Sequence, residues 1–158
     1  MFSIIAAVGK NNELGNKGGL CFSIREDMKF FRETTKGHKV FMGENTWKSL
    51  PGKLPNREHY VLTREPENIP KDVNTVTDLE KYIKENKDTD EKIFVIGGGM
   101  VYKQMLPHAK EMFLTEIDAN AEADVFFPDF DKTEWKKEEI GKGEENGIKY
   151  SFTKYTRK

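Results

Sequence analysis

The chain has 158 residues, with 26 Lys and Arg against 27 Asp and Glu, so its formal net charge is -1. This length suits one domain that buries its own core, and the balanced charge argues against a protein that works mainly by binding nucleic acid or an anionic membrane. No apolar run approaches the length of a membrane span. A single cysteine, Cys21, excludes an internal disulfide and suits the reducing cytoplasm.

The chain begins with a predicted strand and a long glycine-rich loop. Residues 2–8 are nearly continuous in apolar character, which is typical of a central strand covered on both faces. Residues 9–24 show no period and contain four glycines, so we predict 16 residues without regular structure that act as a lid or a binding loop. A disordered surface loop is the alternative, although Leu14, Leu20 and Phe22 are apolar anchors that argue against it.

The rest of the chain alternates strands and helices and ends in a hairpin. Residues 25–35 have the pattern of an amphipathic helix, which Gly37 ends. Asn146-Gly147 between two strand-like runs is a strong hairpin signal. The other predicted strands are residues 39–43, 59–63, 73–76, 92–96, 112–117, 135–140 and 148–155, and the other helices are residues 45–50, 100–106 and a segment from a capping box at 77–80 to about 86. This order predicts an α/β fold with a central, mostly parallel twisted sheet, about four flanking helices and an antiparallel C-terminal hairpin at one edge.

Three consecutive glycines, residues 97–99, lie between a predicted buried strand and a helix. Glycines let a backbone approach a ligand closely, and the free N–H groups of a following helix suit a phosphate or pyrophosphate. The spacing matches neither the G-x-G-x-x-G fingerprint nor a Walker A loop. A tight strand-to-helix turn without a ligand is therefore an equal alternative when this motif is taken alone.

Asp27 lies within the apolar stripe of the helix at 25–35, where a carboxylate is costly unless it has a partner. It could bond locally near the helix start, pair with a buried Lys or Arg, or face a cleft and bind a cationic or amidine-like ligand through two parallel N–H bonds. Cys21 has no histidine near it in sequence, so no nucleophile–base pair is indicated. The scattered Cys and His residues also show no metal-ligand spacing.

Several motifs occur together in an order and at a spacing that resemble the dihydrofolate reductase family, in its bacterial chromosomal form. Val-Ile-Gly-Gly-Gly with a downstream Tyr, and Met-Gly-x-x-Thr-Trp, are specific to that family in combination. The resemblance extends over essentially the whole chain. It is carried by residues 4–7, 15, 27–31, 42–43, 46–47, 49–50, 54–57, 95–99, 101–102, 114–115 and 117–118.

The resemblance implies an NADPH-dependent reductase that transfers a hydride to C6 of dihydrofolate, with protonation of N5, and feeds one-carbon metabolism through tetrahydrofolate. It implies that Asp27 binds the amino group and adjacent ring nitrogen of the pterin, with support from Thr115, and that Arg57 binds the α-carboxylate of the glutamate tail. Residues 1–158 would be the family domain, with the adenosine-binding part at about 38–90. A cytoplasmic monomer that binds antifolate inhibitors, without a nucleic-acid or membrane partner, is the implied setting.

The resemblance also assigns the remaining site residues. Residues 9–24 would be the mobile loop that closes over the nicotinamide, and Gly97-Gly98 would be joined by a cis peptide. The residues assigned to catalysis are Asp27, Thr115, Phe22 and Leu20. The other residues on the substrate side are Ile5, Ala7, Met28, Phe31, Ser49, Leu50, Leu54 and Ile96. The cofactor side comprises Ala6, Ala7, Leu14, Gly15, Leu20, Gly43, Glu44, Asn45, Thr46, Leu62, Thr63, Arg64, Ile96, Gly97, Gly98, Gly99, Met100, Val101, Tyr102 and Gln104.

Two positions in the glycine-rich loop depart from the family pattern. Cys21 and Phe22 stand where bacterial members usually have Pro and Trp. The indole N–H of that Trp holds a water near the pterin, and a phenyl ring has no donor with which to do so. The resemblance therefore leaves open how a water is held near the pterin in this chain.

Further departures lie on the cofactor side. Glu44 and Asn45 stand where a basic residue often meets a cofactor phosphate, and Met100 stands where some members carry Arg. These changes remove positive charge around the cofactor. We expect Arg64, with the Thr63 hydroxyl, to supply the contact to the 2′-phosphate instead.

Two other classes of protein compete with the folate reductase. One is a reductase of the riboflavin pathway on the same scaffold, acting on a ribosylated pyrimidine. It would share the glycine-rich cofactor side, but it would need neither Asp27 in an apolar stripe nor Arg57 after Leu-Pro. The other is a non-enzymatic nucleotide-binding module, which would bind ligand without turnover.

Overall fold

The computed structural model describes residues 1–158, which form two β-sheets and four α-helices. The strands are β1 (Phe2–Val8), β2 (Glu13–Asn16), β3 (Gly19–Leu20), β4 (Lys39–Gly43), β5 (Glu58–Leu62), β6 (Asn74–Val76), β7 (Ile93–Gly97), β8 (Ala109–Ile117), β9 (Val125–Phe126), β10 (Trp135–Glu145) and β11 (Ile148–Arg157). The helices are α1 (Arg25–Thr35), α2 (Glu44–Ser49), α3 (Leu79–Asn86) and α4 (Gly99–Met105).

The main sheet has eight strands in the order β10-β11-β8-β1-β7-β4-β5-β6. All pairs from β8 to β6 are parallel, whereas β11 runs antiparallel to β8 and to β10. The predicted fold class is therefore confirmed, including the antiparallel hairpin at one edge. Its turn is Asn146-Gly147, where both residues have positive φ angles, 52° and 81°, as a two-residue turn of the favoured twist requires.

Strand β1 is central because both of its faces are covered. Phe2 and Ile4 pack into one buried cluster with Met105 of α4, whereas Ile5 packs into a second cluster that includes Phe94. The half-buried Phe31 of α1 contacts this second cluster, so α1 and α4 cover opposite faces of the sheet. The nearly continuous apolar run of β1 follows from this double burial.

The prediction that residues 9–24 lack regular structure was wrong. Strands β2 and β3 lie within this segment and form a small three-stranded sheet with β9. These strands have only four and two residues, too few for a period to be visible, and β9 lies more than a hundred residues away. The segment is therefore anchored by long-range pairing, which local sequence does not encode.

Two helix starts also differ from expectation. At α3 the capping side chain is Asp78 rather than the Thr77 of the predicted capping box, and its Oδ1 accepts from Lys81 N at 3.1 Å. Helix α4 begins at Gly99, within the glycine run. None of the four helices is long and apolar enough to cross a bilayer.

Candidate active site

The candidate site lies where parallel strands β1, β7, β4 and β5 present their carboxyl ends. The connection after β1 leads past β7 to β4, and the connection after β7 leads past β1 to β8, so the two run in opposite directions, with α1 on one face of the sheet and α4 on the other. Such a switch point opens a crevice at the carboxyl edge of a parallel sheet, which is where ligands bind in open α/β folds. The loops and helices that follow these strands carry most of the predicted site residues, and the strands themselves carry the others.

Asp27 lies in the first turn of α1 and is half-buried. Its Oδ1 accepts a hydrogen bond of 2.5 Å from the hydroxyl of Thr115, a buried residue of β8. Burial raises the pKa of Asp27, and the bond from Thr115 opposes that rise only in part. Oδ2 receives no hydrogen bond from the protein, so it is available to a ligand.

The structure argues against two of the three interpretations of Asp27. The helix is capped at Ile24 without any side-chain bond, so Asp27 is not a local cap. No Lys or Arg contributes to its pKa, so it is not part of a buried ion pair. The remaining interpretation, a carboxylate that faces a cleft, fits the geometry.

Apolar side chains pack between α1 and the sheet on the same face as this carboxylate. Ile5 is buried in the second cluster, against which the half-buried side chains of Phe31, Leu50 and Ile96 pack. Met28, predicted to belong to the apolar stripe of α1, is 48% exposed. Ala7 pairs in register with Thr115. Leu54 is half-buried, and Ser49 is exposed with its hydroxyl bonded back to Thr46 O at 2.7 Å.

Arg57 is held rigidly beside the last turn of α1. Its Nε donates to Thr35 Oγ1 at 2.8 Å, and its two terminal nitrogens donate to the carbonyl oxygens of Pro55 and Arg32 at 2.5 and 2.6 Å. These bonds use three of the five N–H groups of the guanidinium. The two that remain are available for a carboxylate, and the three bonds fix the direction in which they point.

The glycine run closes the site on the side of β7. Gly97 and Gly98 are joined by a cis peptide, as the family resemblance implies, and Gly97 has a φ of 138°, a conformation that side chains rarely allow. A Cβ at Gly97 would lie 3.1 Å from Thr46 Oγ1, so the start of α2 packs directly against this turn. The Tyr102 hydroxyl is buried and donates to Ile5 O at 2.8 Å, which ties α4 to β1. Burial also raises the pKa of Tyr102.

The end of β5 carries a threonine hydroxyl that is already bonded within the protein. The Thr63 hydroxyl, expected to contact a phosphate, donates instead to Glu44 Oε1 at 2.5 Å and accepts from Glu65 N at 3.0 Å. Lys48 Nζ lies 3.3 Å from Glu44 Oε2. These two partners lower the pKa of Glu44, which is therefore a carboxylate at neutral pH. Arg64 is exposed and forms no ion pair in the structure.

The other predicted cofactor-side residues are spread along the same edge of the sheet. Gly43 lies against Val101, since a Cβ there would be 3.1 Å from Val101 Cγ2. Met100 is 71% exposed and Leu20 is 73% exposed, so both present apolar surface to solvent. Ala6 and Leu62 are half-buried, Leu14 is buried, and Asn45 and Gln104 are exposed. Gly15 pairs with Leu20 in the small sheet.

Two acidic residues that sequence reasoning missed hold the glycine-rich loop. The Glu13 carboxylate is buried and accepts from Asn11 N at 2.6 Å and Ala121 N at 2.8 Å. Asp124 accepts from Lys17 N at 3.0 Å. A signal existed for the first, because Glu13 is the only acidic residue in the segment 9–24. Phe22 is half-buried in the same loop and lies against Gly9.

Comparisons with known proteins agree with this geometry. The model of the family described as dihydrofolate reductase matches residues 1–157. Dihydrofolate reductase of Bacillus subtilis (strain 168) is 33% identical over 161 residues, covering 100% of this chain and 95% of that protein. The enzyme of Neisseria gonorrhoeae is 35% identical, covering 97% and 96%. The structure of dihydrofolate reductase from Enterococcus faecalis, complexed with NADP(H) and RAB-propyl, has a TM-score of 0.89 at 26% identity, covering 99% of this chain and 96% of that one. The chain belongs to the dihydrofolate reductase family.

Proposed function

We propose that this protein reduces 7,8-dihydrofolate to 5,6,7,8-tetrahydrofolate with NADPH and so supplies one-carbon metabolism. The observation that carries the proposal is the Asp27–Thr115 pair, which leaves Asp27 Oδ2 without a protein partner in an apolar pocket. A carboxylate in such a place suits the amino group and neighbouring ring nitrogen of a pterin, which offer two parallel N–H bonds. Membership of the family supports the same chemistry.

The two ends of the pocket suit the two ends of the substrate. Asp27 would bind the pterin, Ile5, Phe31 and Leu50 would line the apolar middle, and Arg57 would bind the α-carboxylate of the glutamate tail. The guanidinium is already fixed by its three internal bonds, so little side-chain entropy is lost when it binds a carboxylate. We propose Met28, Leu54 and Ser49 as the outer edge of the same pocket.

Asp27 is the only ionisable group that we assign to the pterin end, so it controls proton chemistry there. Burial raises the pKa of Asp27, which makes the carboxylate a better proton acceptor than one in water. The fixed negative charge polarises the pterin and favours protonation at N5, while the proton itself arrives through water. Phe22 has no hydrogen-bond donor, so the protein atoms that hold this water differ from the indole N–H of the usual family Trp.

The residues of the cofactor side fit a dinucleotide. When bound, NADPH supplies the hydride that C6 of the substrate accepts. Gly97, Gly98 and Gly99 offer backbone without side chains for a diphosphate, and Ala6 and Ala7 leave room for the nicotinamide beside β1. Leu14, Leu20 and Phe22 would exclude water from the reacting rings when the glycine-rich loop covers them. We propose residues 38–90 as the adenosine-binding part, with Gly43–Thr46 and Leu62–Arg64 at its edge.

Steady-state assays test the proposal directly. Purified protein with dihydrofolate should oxidise reduced nicotinamide, as followed by its absorbance. A ribosylated pyrimidine of the riboflavin pathway, assayed in parallel, should give no turnover, and turnover with that substrate alone would overturn the proposal. Binding of nucleotide without oxidation in either assay would favour the non-enzymatic module.

A ligand test is independent of turnover. A diaminopyrimidine antifolate presents the same pair of N–H groups to Asp27, so it should raise the melting temperature. At 100 times its Kd such a ligand stabilises the folded state by about 2.7 kcal/mol.

Size-exclusion chromatography should give a monomer, and cell fractionation should place the protein in the cytoplasm.

A further inference from the structure

Glu44 lies at the carboxyl edge of the sheet beside the glycine run. It follows β4 directly, and its partner Thr63 follows β5, the neighbouring parallel strand. Thr46, two residues further along α2, packs against Gly97 of the glycine run. The ends of β4 and β5 follow that of β7 in the sheet, so residues there would hold the adenosine ribose of a dinucleotide whose diphosphate the glycine run would hold.

The Glu44 carboxylate is fixed in place. Oε1 accepts from the Thr63 hydroxyl at 2.5 Å, and Thr63 is itself held by the bond from Glu65 N. Oε2 lies 3.3 Å from Lys48 Nζ, and the Glu44 side chain keeps 26% of its surface exposed. Each oxygen has further lone pairs, so the carboxylate can still accept a hydrogen bond from a ligand.

Positive charge is scarce at this place. Lys48 is paired with Glu44, and Asn45 and Met100 carry no charge. Arg64 is the one unpaired cation beside Thr63. A 2′-phosphate would meet the negative charge of Glu44 at close range, whereas a ribose 2′-hydroxyl could donate to it. In dinucleotide-binding folds an acidic residue at the ribose serves the 2′-hydroxyl of NADH, and an arginine serves the 2′-phosphate of NADPH.

We propose that Glu44, positioned by Thr63, accepts a hydrogen bond from the 2′-hydroxyl of the adenosine ribose of NADH and repels the 2′-phosphate of NADPH. The protein therefore does not select NADPH over NADH. This inference rests on the proposed function, which places a nicotinamide dinucleotide along the edge of the sheet. It leaves NADPH a substrate, since Arg64 can still reach the phosphate. NADH becomes a second hydride donor of similar efficiency.

Binding measurements test the inference without turnover. The Kd values of NAD⁺ and NADP⁺ are measured by calorimetry for the unmodified protein, Glu44→Gln and Glu44→Arg. We expect the two Kd values of the unmodified protein to lie within about tenfold of each other. Removing one charge should shift their ratio towards NADP⁺ by about tenfold, and reversing the charge should shift it by about a hundredfold. Glu138→Gln is the matched control, an exposed acid of the edge strand β10 outside residues 38–90, and should leave the ratio unchanged.

Kinetics with dihydrofolate separate this inference from the proposed function. The ratio of kcat/KM values for the two cofactors should follow the ratio of Kd values, with the change mainly in KM. An unmodified protein that prefers NADP⁺ and NADPH by more than about tenfold, or a Glu44→Gln ratio equal to that of the unmodified protein, would overturn the inference and leave the reductase intact. The expected Kd ratios without oxidation of either cofactor would support the inference about the ribose and contradict the proposed reaction. Binding of neither nucleotide would overturn both.

Discussion

Two carboxylates in the cleft each accept a hydrogen bond of 2.5 Å from a threonine hydroxyl, Asp27 from Thr115 and Glu44 from Thr63. Their pKa values nevertheless move in opposite directions. Burial raises that of Asp27 against the effect of its threonine, whereas the threonine and Lys48 together lower that of Glu44. The ionisation of each carboxylate therefore depends on the balance between desolvation and hydrogen bonding: desolvation outweighs the threonine bond at Asp27, whereas the bonds from Thr63 and Lys48 outweigh desolvation at Glu44.

This difference in pKa suits Asp27 and Glu44 to different chemistry. A carboxylate whose pKa is raised exchanges protons more readily near neutral pH, which the reduction of a pterin requires. A carboxylate whose pKa is lowered stays negative and serves as a fixed charge for recognition. The following substitutions test this comparison, starting with the largest expected effect.

Asp27→Asn should lower kcat/KM for dihydrofolate at neutral pH by about 10²–10⁴-fold, the range that a positioned acid or base contributes. The loss should shrink as the pH falls, because the substrate then enters protonated. A pH profile of kcat/KM measures both effects, and circular dichroism checks that the fold is kept. Glu26→Gln, an exposed acid in the same turn, is the control. Unchanged activity of Asp27→Asn at neutral pH would refute the assignment of this residue.

Thr115→Val and Thr63→Val each remove the hydrogen bond that a threonine hydroxyl donates to a carboxylate. The carboxylate is Asp27 in the first variant and Glu44 in the second. Because the bond from Thr115 lowers the pKa of a buried carboxylate, its loss should raise that pKa further and lower kcat/KM at neutral pH by about tenfold or more. Thr63→Val should change kcat/KM for dihydrofolate much less, since Glu44 is open to water and keeps Lys48. Equal losses in the two variants would mean that burial does not distinguish the pairs.

Glu13 is a third carboxylate to compare with Asp27 and Glu44. It is buried like Asp27, yet its pKa is lowered like that of Glu44. Burial opposes the charge, but backbone N–H bonds, including those from Ala121 and Asn11, together outweigh it. Glu13→Gln should destabilise the fold by about 1–3 kcal/mol, since one amide donor loses its acceptor. This corresponds to a decrease in Tm of about 2–4 °C per kcal/mol for a chain of this size.

The pH dependence checks the sign of this effect. A lowered folded-state pKa gives stability that is present above the pKa of the unfolded chain and is lost as the pH falls through the folded-state value. The difference in Tm between Glu13→Gln and the unmodified protein should therefore shrink in acid. A difference that grows in acid would show that Glu13 is not held as a carboxylate.

The smallest expected effect is a gain in stability for Asp27→Asn. Because the Asp27 pKa is raised, the folded state holds that proton more tightly than the unfolded chain, so ionisation lowers stability as the pH rises through the interval between the two pKa values. The substituted protein lacks this penalty and should melt at a higher temperature at neutral pH than the unmodified protein. The gain should vanish well below the unfolded pKa. A lower Tm at neutral pH would contradict the pKa direction.

Much of the fold is visible in the sequence because it follows from local periodicity and turn chemistry. The apolar run of β1, the helix at Arg25–Thr35 and the Asn146-Gly147 hairpin all appear where the pattern predicts them. The position of Asp27 in an apolar stripe marks it as an unusual acid in the sequence, whereas the glycine run by itself suits a phosphate seat and a ligand-free turn equally well.

Only the tertiary structure decides which side chains meet. Asp27 and Thr115 are 88 residues apart, and β2 pairs with β9 across a similarly long stretch of chain. The Thr63 hydroxyl, which the sequence leaves free for a phosphate, is bound by Glu44 because β4 and β5 end side by side. A sequence pattern records the face on which a side chain lies, whereas its partner depends on the order and register of strands far apart in the chain.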